Sequence, residues 1–424
     1  MPLTHTPETP VLAMPGPATP LITAPAQALE SYQIAANPLD AKVYFSVSGE
    51  GLGHSSRALA LARQFLPENI ILGTYGYALE RLQAYDLPCE SLTQEIKLCG
   101  AEGTFDVGRT IVQNQAFALQ FNQLIQEEMD VMSRHRASLV VADGRLTPVI
   151  AASRLSLPCV VLTNQSAFYP FFEQDSPLLK WFGQSFDWVM TLCMCGAEEI
   201  LIPDFPPPYT VCLHNLSQQP QVKKRTRFIG PLVDFRPAEG LQQSSPIDLE
   251  GRAFRHRVTV SLGGHEYRRP LFEAVQAVAR LLPDVAFDVL SPMRLNVHCT
   301  NVFVYPDVVQ SYPFFAVADA VITQAGHSTA MELLSLGIPS VLVPDTKQIE
   351  QENNARRMVE LGVAVSLEYH RLNPEQLRQA LHNILSQPLY KANALRFAEM
   401  AQRLQGAKQG AGVLSHYAKR LSAY

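Results

Sequence analysis

The stretch Ala320-Val-Ile-Thr-Gln-Ala-Gly-His-Ser-Thr-Ala-Met-Glu332, continued by Leu333-Leu-Ser-Leu-Gly-Ile-Pro-Ser-Val-Leu-Val-Pro344, decides the fold. An apolar run ends near Gly326, a helical pattern opens within three residues, and a second apolar run, Ser340 to Val343, closes at Pro344. That succession is one β-loop-α-loop-β unit of a parallel sheet. Glycine at the turn lets the backbone approach a ligand closely. The free N–H groups of His327, Ser328 and Thr329, with two hydroxyls beside them, face an anion such as phosphate at the helix mouth. Glu332 lies one turn further on, where the helix N-terminus stabilises a carboxylate that could accept both hydroxyls of a ribose. The unit has the parts of a nucleotide-diphosphate seat. The same residues also suit an ordinary capped helix, with Ser328 or Thr329 as cap and Glu332 in a capping box.

Outward from this unit, a chain of 424 residues, 47% hydrophobic and 17% charged, can bury substantial cores and is too long for one ordinary domain. Two domains are expected. The net charge of −5, with no basic face standing out, argues against nucleic acid as the main partner. The seven cysteines are odd in number, form no Cys-x-x-Cys and lie largely in apolar surroundings, which predicts buried free thiols in a reducing, cytoplasmic setting. Residues 1–40 hold eight prolines and no Lys or Arg, unlike a signal or transit peptide, and are expected to be a disordered tail. No apolar run reaches 18 residues, so no transmembrane helix is expected.

The ordered chain opens with a strand, Lys42–Ser48, a turn, Gly49-Glu50-Gly51-Leu52-Gly53-His54, and a helix over Ala58–Phe65. A dinucleotide fingerprint wants glycine at the sixth position, where His54 stands, and the next strand, Ile70–Thr74, ends without the acid that would hold a ribose. The turn offers instead a carboxylate, Glu50, and an imidazole, His54, at the carboxyl edge of a sheet. His54 could act as a general base near neutral pH, or simply pack at the helix start. Ile111–His135 reads as one long helix. The strands Ala137–Asp143 and Pro158–Gln165 bring Asp143, Asn164 and Gln165 to the same edge as His54. Asp143 then either orients the imidazole or caps a helix. Eight aromatics between Phe168 and Trp188 suit core, the wall of an apolar acceptor pocket, or contact with a membrane surface.

A second alternating series starts at Val258-Thr-Val-Ser-Leu-Gly-Gly-His265, where Gly263 and Gly264 repeat the logic of the first turn. The expected organisation is α/β: a first Rossmann-like doubly wound domain over 41–215, a linker over 216–256, a second such domain over 257–388, and a C-terminal helix, 389–424, that braces the first domain. The two sheets would face one another across a cleft. There is no Asp-x-Asp, no Walker lysine and no zinc-ligand spacing, so no metal is expected.

Gly49-Glu-Gly-Leu-Gly-His54, together with Gln324-Ala-Gly-His-Ser-Thr-Ala-Met-Glu332 and Glu350-Gln351-x-x-Asn354-Ala355, resembles the GT-B glycosyltransferases, in the branch of MurG, the monogalactosyldiacylglycerol synthases and the UDP-glycosyltransferases. The resemblance covers nearly everything after residue 41. It implies an NDP-sugar donor, commonly UDP, rather than a resident cofactor. In that frame Gly326, Ser328 and Thr329 meet the diphosphate, Glu332 the ribose, and Glu350 and Gln351 the sugar hydroxyls. Gly263 and Gly264 match the glycine turn of the second domain, and His54 stands where the UDP-glycosyltransferases have their general base. Gly51, Gly53, Asn164 and Gln165 fall on the acceptor side. Gln324 departs from the pattern, replacing a phosphate-binding histidine whose contact His327 could supply. The implied activity is inverting, metal-independent transfer to a small-molecule or lipid hydroxyl, with peripheral contact at the inner face of a membrane one of its forms. A UDP-sugar 2-epimerase and a non-catalytic nucleotide-sugar sensor are the rival functions.

Overall fold

The computed structural model describes residues 42–421 apart from 51, 98, 102–103, 174–175, 236–253, 263–267, 307 and 309. The expected tail, Gly51, Gly263 and Gly264 lie outside the described residues. The first domain is built on strands β1 (Val43–Val47), β2 (Ile70–Thr74), β3 (Cys89–Ser91), β4 (Leu139–Asp143), β5 (Cys159–Leu162), β6 (Glu199–Ile202) and β7 (Thr226–Phe228). All are parallel, in the order β3-β2-β1-β4-β5-β6-β7. The second domain has β8 (His256–Ser261), β9 (Val285–Leu290), β10 (Val302–Tyr305), β11 (Ala320–Thr323), β12 (Ser340–Leu342) and β13 (Ala364–Ser366), also parallel, in the order β10-β9-β8-β11-β12-β13. The runs VYFSV of β1 and LVVAD of β4 are buried at every position, as parallel strands covered by helices on both faces must be.

Both strand orders reverse beside the first strand of their domain, between β1 and β4 and between β8 and β11. At such points the connections leave to opposite faces and a crevice opens at the carboxyl ends. Val47 pairs in register with Asp143, so the turn after β1 and the end of β4 share the first crevice. The Gln324–Gly326 loop after β11 occupies the second.

Several boundaries differ from the sequence expectation. The helix after β1 runs Leu52–Ala62 and takes in Gly53 and His54, so the imidazole stands on a first helical turn rather than on a loop. Tertiary packing overrides the poor helix propensity of glycine there. The expected helix over 111–135 is two, Val107–Gln113 and Phe117–Arg134. The first domain does not end at 215. A short basic helix, Pro220–Arg225, leads into β7, which pairs with β6, and this polar segment hides an edge strand behind a linker-like composition.

The C-terminal brace is likewise two helices, Pro388–Leu404 and Gly406–Leu421. They meet at Gln405, whose φ of 48° is left-handed. Phe397 on the first helix packs edge-on against Phe205 of the first domain, ring centroids 5.0 Å apart, in a core shared with Ala325, Met331 and Leu334. The second helix carries Val413, Leu414 and Ala418 into the core of the first domain, against Val43, Phe45, Leu59 and Leu61. Both helices thus touch the first domain, and the second enters its central core.

Candidate active site

His54 and Asp143 meet. His54 Nδ1 lies 2.7 Å from Asp143 Oδ1, with the carboxylate buried and the imidazole about a quarter exposed (side chains 1% and 26%). Behind them stands Arg57, one turn beyond His54 on the same helix face. Its Nε donates to Asp143 Oδ2 at 2.8 Å, Nη2 donates to Asp143 Oδ1, and Nη1 donates to Asn164 Oδ1 at 2.6 Å. Burial alone would raise the Asp143 carboxyl pKa, but the charge of Arg57 and the hydrogen bonds from Arg57 and His54 outweigh it and hold the group below its ordinary value. Asp143 is therefore ionised. A carboxylate accepts only, so Nδ1 must carry the proton and donate, and no described residue bonds Nε2. That leaves Nε2 with the lone pair a base needs.

The residue after Asp143 shapes the other side of the ring. Gly144 has φ +68°, and a Cβ there would lie 2.4 Å from His54 Cε1, so only glycine fits. The loop beyond it is anchored by Arg145, whose Nε donates to Glu128 Oε1 at 3.1 Å, and by Glu95, which accepts the Leu146 N–H at 3.0 Å. Glu128 also accepts from Tyr44 at 2.6 Å and Ser46 at 2.8 Å on β1. A second buried network thus fixes the two strands that present His54 and Asp143.

Contacts cross from this site to the second domain. Asn164 Nδ2 donates to Glu350 Oε1 at 2.9 Å, which also accepts from Asn354 Nδ2 at 3.2 Å. Asn354 Nδ2 lies 3.0 Å from the Ala325 carbonyl, in the loop before the His327–Leu336 helix. Ser328 Oγ donates to the Gly53 carbonyl at 3.1 Å. The helix mouth of the second domain and the His54-bearing turn of the first are therefore in direct contact.

Other expected residues are placed differently. The imidazole of His327 is buried and turned to Asp204, with Nε2 3.1 Å from Oδ2, so it does not supply the phosphate contact that Gln324 lacks. Only the His327 backbone N–H remains at the mouth. Asp204 is held by the N–H groups of Phe205, Val211 and Cys212. Asp204, Cys212 and His327 bring potential metal-ligand atoms within 4.8 Å of one another, but the carboxylate there is already occupied by these donors. Glu332 accepts from Ser311 Oγ at 3.1 Å, and burial raises its carboxyl pKa against the lowering effects of Arg81 and Ser311. Gln351 folds onto Asp345, accepting its N–H at 2.9 Å, and Asp345 pairs with Arg268 at 3.2 Å. Glu50 accepts from Gln94 Nε2. Gln165 Nε2 donates to the Ala167 carbonyl at 3.3 Å and stays out of the Asn164 network. Thr329 is half-buried on the first turn of its helix.

The aromatic stretch divides. Phe168, Phe172, Phe182 and Phe186 cluster with ring centroids 5.6–6.4 Å apart. On the outer face of the Pro177–Cys195 helix, Leu178, Trp181, Trp188 and Leu192 are 74%, 66%, 61% and 51% exposed. The seven cysteines are all unpaired, but only Cys159 and Cys212 are buried and the other five are half-buried. No helix among the described residues is long and apolar enough to cross a membrane.

Arg57, Arg145 and Glu128 escaped the sequence reading. Arg57 carried a signal, a lone charge three residues after His54, followed by the apolar run Ala58–Ala62.

Comparison with known proteins agrees with this geometry. Residues 291–410 match the glycosyltransferase family 28 C-terminal domain, and residues 41–233 match glycosyl transferase family 1. An uncharacterised glycosyltransferase of Methanosarcina acetivorans is 31% identical over 376 residues, 87% of this chain and 96% of the relative. The UDP-N-acetylglucosamine–N-acetylmuramyl-(pentapeptide) pyrophosphoryl-undecaprenol N-acetylglucosamine transferase of Bacillus licheniformis is 29% identical, covering 72% of this chain and 81% of its own. The crystal structure of the kitacinnamycin glycosyltransferase superposes with a TM-score of 0.67 at 18% identity, over 90% of this chain and all of the other. The chain belongs to the glycosyltransferases of the GT-B fold and carries a family 28 C-terminal domain.

Proposed function

We propose that the enzyme moves a hexose-type sugar from a UDP-sugar to a hydroxyl acceptor, with inversion at the anomeric carbon and without a metal ion, and that His54 is the base. The observation that carries the reading is the 2.7 Å contact of His54 Nδ1 with Asp143, which leaves Nε2 unprotonated beside the donor helix contact of Ser328 with Gly53. In this mechanism the acceptor oxygen attacks the anomeric carbon as its proton passes to His54 Nε2. The bond from that carbon to the diphosphate oxygen breaks with both electrons leaving on the phosphate. Backbone N–H groups of His327, Ser328 and Thr329, beside Gly326, meet that charge as fixed dipoles that need no reorganisation. Glu332 takes the ribose, and Glu350 and Gln351 the sugar hydroxyls, once donor binding releases them from Asn164 and Asp345.

We place the acceptor on the first-domain side, by Gly53, Asn164 and Gln165, and read it as lipid-like. The exposed Leu178, Trp181, Trp188 and Leu192 support this, since exposed aromatic patches mark apolar partners and Trp favours membrane interfaces. The undecaprenol acceptor named for the Bacillus licheniformis relative points the same way. UDP release from a panel of UDP-sugars, with and without a total lipid extract, tests the whole reading. Acceptor-dependent UDP release supports it. Free epimerised sugar without acceptor, or tight UDP binding without turnover, overturns it. His54→Ala should cost on the order of 10²–10⁴ in turnover while sparing UDP binding, whereas near-full activity would remove the base assignment.

A further inference from the structure

The base of this site is not a simple imidazole–carboxylate pair, because Asp143 is shared. Its Oδ1 receives both His54 Nδ1 and Arg57 Nη2, while its Oδ2 receives Arg57 Nε at 2.8 Å. Arg57 Nη2 also lies 2.9 Å from His54 Nδ1 itself. A guanidinium has only donors and keeps its charge at any accessible pH. Arg57 could therefore donate to Nδ1, forcing the imidazole proton to Nε2 and abolishing the base. That arrangement would set the Nδ1 lone pair against an ionised oxygen 2.7 Å away, which is repulsive. With Asp143 ionised, the stable pattern has Nδ1–H and Nη2–H both pointing at Oδ1.

The charges follow from the same geometry. Buried beside His54, Asp143 alone would hold a proton on the ring by favouring imidazolium. Arg57 cancels that charge at hydrogen-bond distance, and Asn164, accepting from Nη1 at 2.6 Å, fixes the plane of the fork. Other charged groups on the elements packed around this helix turn have their own partners. Glu350 is bonded to Asn164 and Asn354, Glu50 to Gln94, and Arg81 reaches Ser56 at 2.7 Å and faces Glu332. His327 and Asp204 are paired with each other.

We propose that Arg57 is a positioning residue that, by neutralising Asp143, keeps His54 as a neutral imidazole with its proton on Nδ1 and Nε2 open to take the acceptor proton. This rests on reading His54 as the base, and it gives Asp143 a different part: it sets the tautomer without supplying a net negative charge. Asn164, by steering Arg57 and touching Glu350, connects that tautomer to the donor-side helix.

The test reads the histidine directly and needs neither donor nor acceptor, so it stands apart from the transfer assay. Ring-nitrogen NMR of uniformly ¹⁵N-labelled full-length protein, with His54 assigned through His54→Gln, reports tautomer and titration together. Wild type is expected to show Nδ1–H, the minor tautomer of free imidazole. Arg57→Gln should move the midpoint of the His54 titration up, and Arg57→Lys, which keeps the charge, should move it by less than half as much. A wild-type His54 carrying its proton on Nε2 overturns the proposal without any variant. So does a folded Arg57→Gln protein whose His54 titrates as in wild type, or an Arg57→Lys protein that shifts as far as Arg57→Gln.

Discussion

Replacing Asp143 by Asn should destabilise the first domain severely, and the structure says by how much. The carboxylate is 1% exposed and Arg57 is 4% exposed. The amide of the Asp143→Asn variant could still accept through its oxygen, but its NH₂ group would face Arg57 Nε, a donor against a donor. The buried guanidinium would then lose its ionic partner and its Nε hydrogen bond, keeping only neutral acceptors. Breaking a buried pair by removing one member costs about 3–5 kcal/mol, a large share of the ~5–15 kcal/mol available to a domain. The sign with pH is fixed. Asp143 has its pKa lowered in the fold, so its contribution is complete above the unfolded carboxyl value and is lost as pH falls through the folded one. Urea titration followed by hydrogen exchange in β1 and β4 reports the first domain alone. The gap between variant and wild type should be widest at pH 7 and close in acid. The double variant Arg57→Met/Asp143→Leu should recover most of the loss, since an apolar pair of similar volume avoids both desolvation penalties. A gap below about 1 kcal/mol at pH 7, or one that does not change with pH, refutes the buried pair as described.

Three further outcomes are expected. Glu332→Gln should raise the melting temperature at pH 7 and above, because burial raises the Glu332 carboxyl pKa and its ionised form is the less stable one in the fold, while nucleotide binding measured by calorimetry weakens about tenfold or more. Gly144→Ala should cost roughly 1–3 kcal/mol in thermal unfolding from its left-handed backbone, and should lower turnover further by pushing the His54 ring aside. Trp181→Ala/Trp188→Ala should leave stability within about 0.5 kcal/mol, both rings being exposed, yet reduce turnover on lipid acceptors relative to short soluble ones.

What the sequence made legible was set by short-range pattern. Uninterrupted apolar runs such as Leu139-Val-Val-Ala and the glycine turns after β1 and before the His327 helix announced parallel strands and their ligand edge, because both sheet and crevice follow from local periodicity and chain order. The pairing of His54 with Asp143 was half legible: order put them at one edge, but contact depends on β1 and β4 being neighbours, a long-range fact. Arg57 was missed because an arginine in a helix usually points to water, and only the fold shows two buried acceptors waiting for it. His327 misled for the converse reason. Its place at the helix mouth is a backbone property, whereas its side chain answers to Asp204, 123 residues earlier. β7 and the break at Gln405 were hidden by composition, one by a basic flank and the other by an apolar pattern that continues through the kink.

The return of the last helix to the first domain has a consequence for biosynthesis. Val413, Leu414 and Ala418 complete the core that Val43, Phe45, Leu59 and Leu61 begin, so the half of the protein made first cannot close its apolar face until the Gly406–Leu421 helix has emerged from the ribosome. At ordinary elongation speeds the interval between β7 and the Gly406–Leu421 helix is roughly ten to forty seconds. Throughout that time the nascent first domain presents an unsealed hydrophobic surface, although its own sheet is already complete.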